Sequence, residues 1–310
     1  MQELIEVDDF PMPSPFINGV QYAWDSTALE YLKRCKYLHK FKKDGWEPKE
    51  EAIALRFGRE YHKCLQDYEI LKALGRKHKD CVFDVIRNLL FRLVDWNPDD
   101  KKRNRDTLVR TVVWYLEKFK DDNAKTLILN NGDPAVEITF SFDLDFGPKN
   151  STQPYVLCGK LDRVVDFNDD LFVMDRKTTT WGLGATYQRM WTPHNQMSLY
   201  TLAGKRVFMT EIKGVIIDAA QLLIGSTNYD RFFIYRTQEQ LDEWLHDLEA
   251  HLRWYEHCLE FDRWPQDDTS CDKYGGCTYR EVCSKPKSVR QRFLRSSFEQ
   301  VEPWNPLAPR

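Results

Sequence analysis

The residues from Glu137 to Phe146, EITFSFDLDF, alternate polar and apolar side chains without a break. Only an extended backbone uses that period: successive side chains leave on opposite faces, and one face meets a core. The stretch is therefore a half-buried strand, and it divides the chain. The first ~125 residues before it carry the helical period instead. Ser26 is placed to cap a helix through STALEYLKRCKYLHKF. A second helix is expected from Pro48 to Leu74, where Ile53, Phe57, Tyr61, Leu65 and Tyr68 recur at helical spacing. Two more fit CVFDVIRNLLFRLV and DTLVRTVVWYLEKF, with Asn97 to Asp100 as the loop between them.

After the alternating strand and the loop GPKNSTQP, Tyr155 to Phe167 reads as a second strand and Leu171 to Thr178 as a third, turning at Asn168 to Asp170. The three form an expected antiparallel meander. Thr186 to Val207 reads as a helix broken near Pro193. Gly214 to Ile224 and Arg231 to Tyr235 read as strands, and Gln238 to Phe261 as a long amphipathic helix. The expected fold is α/β (α+β): a mixed central sheet with flanking helices and a helical N-terminal region. Three parts are expected within one compact domain: residues 1–125, 126–262 and 263–310, the last a cysteine segment with a basic tail.

A chain of 310 residues with 14% aromatics can bury a substantial core and is not a disordered composition. No apolar run approaches the ~18 residues that span a bilayer. The start, MQELIEVDDF, is acidic and lacks the basic and apolar regions of a signal peptide. A soluble, cytoplasmic protein without a membrane partner is expected. The net charge of −3 gives no global basic field. Two local basic runs stand out, Lys101 to Arg105 and Lys285 to Arg295; each is a nucleic-acid contact or a solvated charge run.

The third strand ends unusually. In LFVMDRKTTT, an apolar run closes on Asp175 and Lys177, which share a face, with Arg176 opposite. Across the hairpin lies Asp162. If the register holds, two carboxylates approach each other, and a divalent cation relieves both their repulsion and their desolvation. Lys177 beside them can assist an attacking water. The plain alternative is a salt bridge at a strand end. Two helical pairs add to the site reading: Gly58 and His62, and Gln196 and Tyr200, each at i, i+4. A glycine at 58 suits a close backbone approach.

Taken in order, Gly-x-x-x-His, Gly-Lys-Leu-Asp, Asp-x-Lys-Thr and Gln-x-x-x-Tyr resemble the PD-(D/E)XK nuclease superfamily, in its RecB-like branch. That branch includes the nuclease domains of RecB and AddB and CRISPR-associated RecB-like exonucleases. The resemblance runs from about Cys35 to Cys283. It implies a restriction-endonuclease-like core and a Mg²⁺- or Mn²⁺-dependent DNA exonuclease. His62, Asp162, Asp175 and the carbonyl of Arg176 would hold the metal. Asp162, Asp175, Lys177, Gln196 and Tyr200 would serve catalysis. The implied partner is DNA, in single strands or at ends, in recombination, CRISPR or phage settings, with recombination or CRISPR-type partner proteins. A structure-specific or restriction-type endonuclease is the alternative, as is a non-catalytic DNA-binding protein of the same fold.

Of eight cysteines, Cys64, Cys81, Cys158 and Cys258 sit in periodic segments and read as core. Cys35, Cys271, Cys277 and Cys283, separated by 235, 5 and 5 residues, suggest a metal centre joining distant parts of the chain. Some RecB-like members hold a [4Fe–4S] cluster with one N-terminal and three C-terminal cysteines, and this arrangement resembles theirs. The first C-terminal gap is five residues rather than the usual two, and Gly275-Gly276 suits a longer loop folding back. Four thiolates also suit zinc, and reduced structural cysteines are the third alternative.

Overall fold

The computed structural model describes residues 14–308; the stretch MQELIEVDDF and the last two residues of the basic tail lie outside the described residues. Three short strands, β1 (Phe16–Ile17), β2 (Val20–Gln21) and β3 (Ala23–Trp24), precede α1 (Ser26–Arg34), α2 (Lys36–Lys43) and β4 (Trp46–Pro48). Longer helices follow, α3 (Ile53–Ala73), α4 (His78–Arg92) and α5 (Arg105–Lys118). Next come β5 (Ala124–Thr126), β6 (Val136–Asp143), β7 (Val156–Phe167) and β8 (Asp170–Thr179). Helices α6 (Ala185–Arg189) and α7 (Asn195–Phe208) lead to β9 (Ile212–Leu222) and β10 (Thr227–Ile234). Then follow α8 (Gln238–Glu260), α9 (Arg280–Cys283), α10 (Lys287–Ser297) and β11 (Phe298–Gln300).

The architecture is mixed α/β, a central mixed sheet flanked by helices, as the periodicities indicate. Local differences have local causes. The helix expected from Ser26 is two helices, because Cys35 adopts an extended backbone with φ −164° and ψ 122°. Its cap is Asp25 rather than Ser26: the Asp25 carboxylate accepts from the Ala28 N–H at 2.7 Å. The helix expected from Pro48 begins at Ile53, since Pro48 belongs to β4.

The chain forms two compact units. One comprises Pro48–Phe140 and Lys160–Leu248. Its strands run in the order β10-β9-β8-β7. β10 and β9 are antiparallel, β9 and β8 parallel, β8 and β7 antiparallel. β5 and β6 also pair with β7. The β7–β8 turn uses Asn168 and Asp169 at φ 55° and 67°. A two-residue hairpin of matching twist needs positive φ at both positions, and Asn and Asp tolerate it best after glycine. The parallel step to β9 needs a crossover, which α6 and α7 provide.

One sheet face is covered by α3, α4 and α5. Phe57, Tyr61, Leu65, Leu89 and Val112 pack there with Ala220 and Leu222 of β9. The opposite face takes α7 at close range. A Cβ on Gly204 would lie 2.9 Å from Val173 Cγ2, so only glycine lets the helix approach.

The other unit comprises the chain up to Glu47, Ser141–Gly159 and the chain from Glu249. Leu38, Phe41, Trp46, Tyr279, Val282, Leu294 and Phe298 form a cluster in it. β3 lies parallel to the first residues of β7, Ala23 opposite Val156, and β11 pairs with β4. Among the described residues, no helix is long and apolar enough to cross a membrane.

Candidate active site

The β7–β8 ladder runs from Phe167 opposite Asp170 to Arg163 opposite Met174. One step further, the same register sets Asp162 opposite Asp175. There the ladder stops and side chains take over. Asp162 Oδ2 accepts from the Arg176 N–H at 3.0 Å and lies 3.3 Å from His62 Nδ1. Lys177 Nζ lies 2.5 Å from Asp175 Oδ2. Beyond this point β8 is still paired with β9, from Asp175 opposite Ile217 to Thr179 opposite Gln221. The charged strand end is therefore held by β9 on one side and by the Asp162 side chain on the other.

Electrostatics follow from this placement. Asp175 is 1% exposed. Burial pushes its carboxyl up to about 7, the charge of Asp162 adds to the rise, and the Lys177 ammonium opposes it. Desolvation pushes the His62 imidazole below its usual range, with Asp162 opposing and Lys177 and Arg176 adding. A neutral imidazole is the form that ligates metal.

The Arg176 side chain faces the other way. It is 2% exposed, and its Nη2 lies 3.7 Å from Glu69 Oε1. Arg163 Nη2 lies 3.4 Å from the same oxygen. Burial alone would raise the Glu69 carboxyl, but Arg163 and Arg176 outweigh it and hold it below its usual range. The charge of Arg176 is thus used in the interior, while its backbone meets Asp162. Glu69 was not singled out by the sequence motifs. Its signal was its place two turns after His62, on the same side of α3.

The remaining candidates are placed as follows. Gly58 stands over β8, but a Cβ there would meet Thr178 Oγ1 at 3.7 Å, an ordinary contact, so the expected need for close approach does not arise. Gln196 Nε2 donates to Tyr200 Oη at 3.0 Å, within α7. Gln196 is thus bonded inside its own helix rather than to the carboxylates. Lys177 Nζ sits 5.6 Å from the Trp191 ring centroid, and the charge of Asp175 reaches Tyr187, whose hydroxyl pKa is raised mainly by burial. Neither aromatic belonged to a sequence motif.

The donors at the strand end fit a hard divalent cation: two facing carboxylates, one deeply buried, and a neutral imidazole. Among the described residues, no three His, Cys, Asp or Glu side chains already form a metal-ready group. Mg²⁺ characteristically binds through one or two carboxylates and keeps several waters, so a closed protein cage is not required of it.

Within the other unit, Cys35, Cys271, Cys277 and Cys283 line one cavity of about 70 Å³. Extended Cys35 places its Sγ 3.4 Å from the Asp267 N, which donates to it. Arg34 Nη2 donates to the Ser270 carbonyl at 3.1 Å, and Ser270 Oγ donates to the Arg34 carbonyl at 2.9 Å. Gly275 and Gly276, at φ 84° and 110°, fold the loop so that the Cys277 N–H reaches the Cys271 carbonyl at 2.7 Å. Burial pushes the Cys283 thiol up to about 12, with the neighbouring Cys277 and Cys35 adding. By donor type these thiols fit a thiophilic metal. Cys64, Cys81, Cys158 and Cys258 are buried, and no cysteine is in a disulfide.

Among curated proteins, none matches the sequence. A solved structure described as a candidate exonuclease from Eubacterium rectale is similar in fold. The likeness covers 87% of this chain and 92% of that one, at TM-score 0.52 and 14% identity. A second, the protein SSO0001, matches over 58% of this chain and 70% of its own at TM-score 0.31 and 15% identity. The family model of the PD-(D/E)XK nuclease superfamily matches residues 24–284, which include every candidate residue above. The chain belongs to the PD-(D/E)XK nuclease superfamily.

Proposed function

We propose that the protein is a metal-dependent DNA exonuclease of the RecB-like branch, acting on single strands or DNA ends. The observation that carries this reading is the meeting of Asp162, Asp175, His62 and Lys177 where the β7–β8 ladder stops. His62, Asp162, Asp175 and the Arg176 carbonyl would hold Mg²⁺ or Mn²⁺. When bound, the cation supplies a Lewis acid for a scissile phosphate oxygen. Asp162 keeps β7 and β8 in register through the Arg176 N–H. Lys177 opposes protonation of Asp175, brings positive charge to the reacting phosphate and orients the attacking water. Gln196 and Tyr200, joined on α7, would position the strand. The superfamily membership supports hydrolysis of nucleic acid, and the similar Eubacterium rectale protein is itself described as a candidate exonuclease.

Cys35, Cys271, Cys277 and Cys283 would hold a [4Fe–4S] cluster, with zinc as the second candidate. Its role would be structural, fastening the α1–α2 junction to the Cys271–Cys283 segment that Arg34 and Ser270 already join. Recombination, CRISPR or phage DNA processing, with the matching partner proteins, is the setting that the branch suggests.

The test uses purified, metal-loaded protein with Mn²⁺ and end-labelled DNA. The substrates are linear and circular, single- and double-stranded. Mononucleotides or short products from linear single strands, with circles left intact, are expected. Cut circles would make it an endonuclease. No degradation of any DNA, with Lys177→Ala unchanged in every assay, would leave a non-catalytic binding protein.

A further inference from the structure

Beyond the catalytic strand end lies an open cavity of about 660 Å³, bounded by α5, β10 and the loop that leaves β8. We infer that this cavity is a nucleobase-binding subsite, holding a base of the substrate strand beside the scissile phosphate. The inference rests on the nucleic-acid reading above and adds a named contact to it.

Its position is set by strand register. Lys177 lies opposite Ala219, and Thr179 opposite Gln221. Gln221 lines the cavity, so the cavity begins about 7 Å along the strands from Lys177. Leu183 and Gly184, soon after Thr179, form another wall. A strand running along β8 from the catalytic centre meets this space next.

Its chemistry is that of a base site. Trp114 lines it and is 44% exposed, although it lies on a helix that packs its other side into the core. Arg110 sits 5.6 Å from the Trp114 ring centroid and is itself anchored, Nη2 donating to the Leu223 and Ser226 carbonyls at 3.0 and 3.2 Å. The indole is therefore held in place before any ligand arrives. Tyr229 also lines the space, but its ring is engaged by Tyr115, Phe119 and the Lys118 ammonium and its hydroxyl donates to the Thr111 carbonyl at 2.7 Å, so it is a fixed wall rather than a second stacking face. A preset indole face favours stacking, because little side-chain freedom remains to be lost.

Polar groups stand around the same space. Asn228 Nδ2 donates to Gln221 Oε1 at 3.0 Å. That bond leaves Gln221 Nε2 as a donor and Asn228 Oδ1 as an acceptor, the two groups a base edge pairs with. Lys118, whose Nζ donates to the Tyr229 carbonyl at 3.4 Å, lines the same space and would bring a cation to a flanking phosphate. An apolar ligand would not use the amides, and a bare phosphate would not use the indole. A nucleotide within a single strand uses both, since a duplex keeps its bases stacked on each other.

The test couples a protein change to a DNA change. Binding of a labelled single-stranded oligonucleotide is measured by anisotropy in EDTA, so that no cleavage intervenes. A series of oligonucleotides carries one abasic position each. Trp114→Ala is expected to weaken binding of the intact strand about tenfold, and Trp114→Phe to restore most of it. At one abasic position, wild type should lose a similar factor and Trp114→Ala nothing further. Unchanged binding by Trp114→Ala, or losses that multiply in full at every position, would overturn the inference. Cleavage with Mn²⁺ is scored separately. If wild type cleaves no DNA while the coupling holds, the catalytic reading fails and the subsite stands. If it cleaves and no position couples to Trp114, the subsite alone is wrong.

Discussion

The backbone N–H of Arg176 donates to Asp162 Oδ2 at 3.0 Å, one step past the last residues that pair β7 with β8. A side-chain carboxylate there takes the place of a ladder carbonyl. The pairing of the two strands ends there, and charged side chains gather at the point where it ends. Asp162 therefore has a structural task beside the chemical one proposed for it, and the two can be separated. Asp162→Asn keeps an acceptor for the N–H, whereas Asp162→Ala does not. Both variants are expected to lose nuclease activity, but Asp162→Ala should be less stable than Asp162→Asn by about 2 kcal/mol. Urea denaturation checks the difference. Equal stabilities would show that the bond holds nothing.

Lys177 contacts Asp175 and is the proposed catalytic cation. Lys177→Ala should lower kcat by about a hundredfold or more. Affinity for DNA in EDTA should change little, because strand binding is spread over other contacts. The buried Asp175 can take up a proton when its partner is removed, so the fold should survive. A single-turnover assay paired with anisotropy separates the two effects; a parallel loss of binding would move Lys177 out of the catalytic role.

Glu69 lies between Arg163 and Arg176, all three buried. Removing the carboxylate leaves two interior guanidinium groups without that charge partner. Glu69→Ala is expected to cost about 3–5 kcal/mol, read from the denaturation midpoint at unchanged slope. A loss below about 1 kcal/mol would mean that water already reaches these side chains.

Arg231 holds both oxygens of Asp122 at 2.8 Å. Burial alone would raise the Asp122 carboxyl, but the hydrogen bonding and charge of Arg231 win and hold it below its usual range. Its stabilisation is complete above the unfolded value of about 3.9 and is lost as pH falls through the lower folded value. Wild type should exceed Asp122→Asn in stability at neutral pH, and the gap should close below about pH 4. Urea midpoints at pH 7 and pH 3 decide it; an equal gap at both contradicts the assignment.

The four cavity thiols make a compositional prediction. Protein purified without oxygen should contain iron and sulfide, and Cys277→Ala should lose both together with much of its thermal stability. Zinc in place of iron would change the metal and keep the staple. A native melting temperature with full activity in Cys277→Ala would remove the staple altogether.

Much of the local structure was legible in the sequence. The alternation at Glu137–Phe146, the hairpin at Asn168–Asp169 and the helical spacing from Phe57 to Tyr68 each depend on residues a few positions apart. The approach of Asp162 to the Asp175–Lys177 strand end was legible for the same reason, since a hairpin register is fixed by its turn. Local spacing misjudged the helix through Cys35, where one extended residue divides it and turns a thiol towards a segment more than two hundred positions away. What tertiary structure alone decided depends on long-range pairing. The partnership of Glu69 with Arg163 and Arg176, the rise of the Asp175 carboxyl on burial, and the cavity between Trp114 and Asn228 all require distant segments to meet. Sequence periodicity tells which face of an element is buried. Only the folded chain tells what lies against that face, and burial and neighbouring charge there set the chemistry.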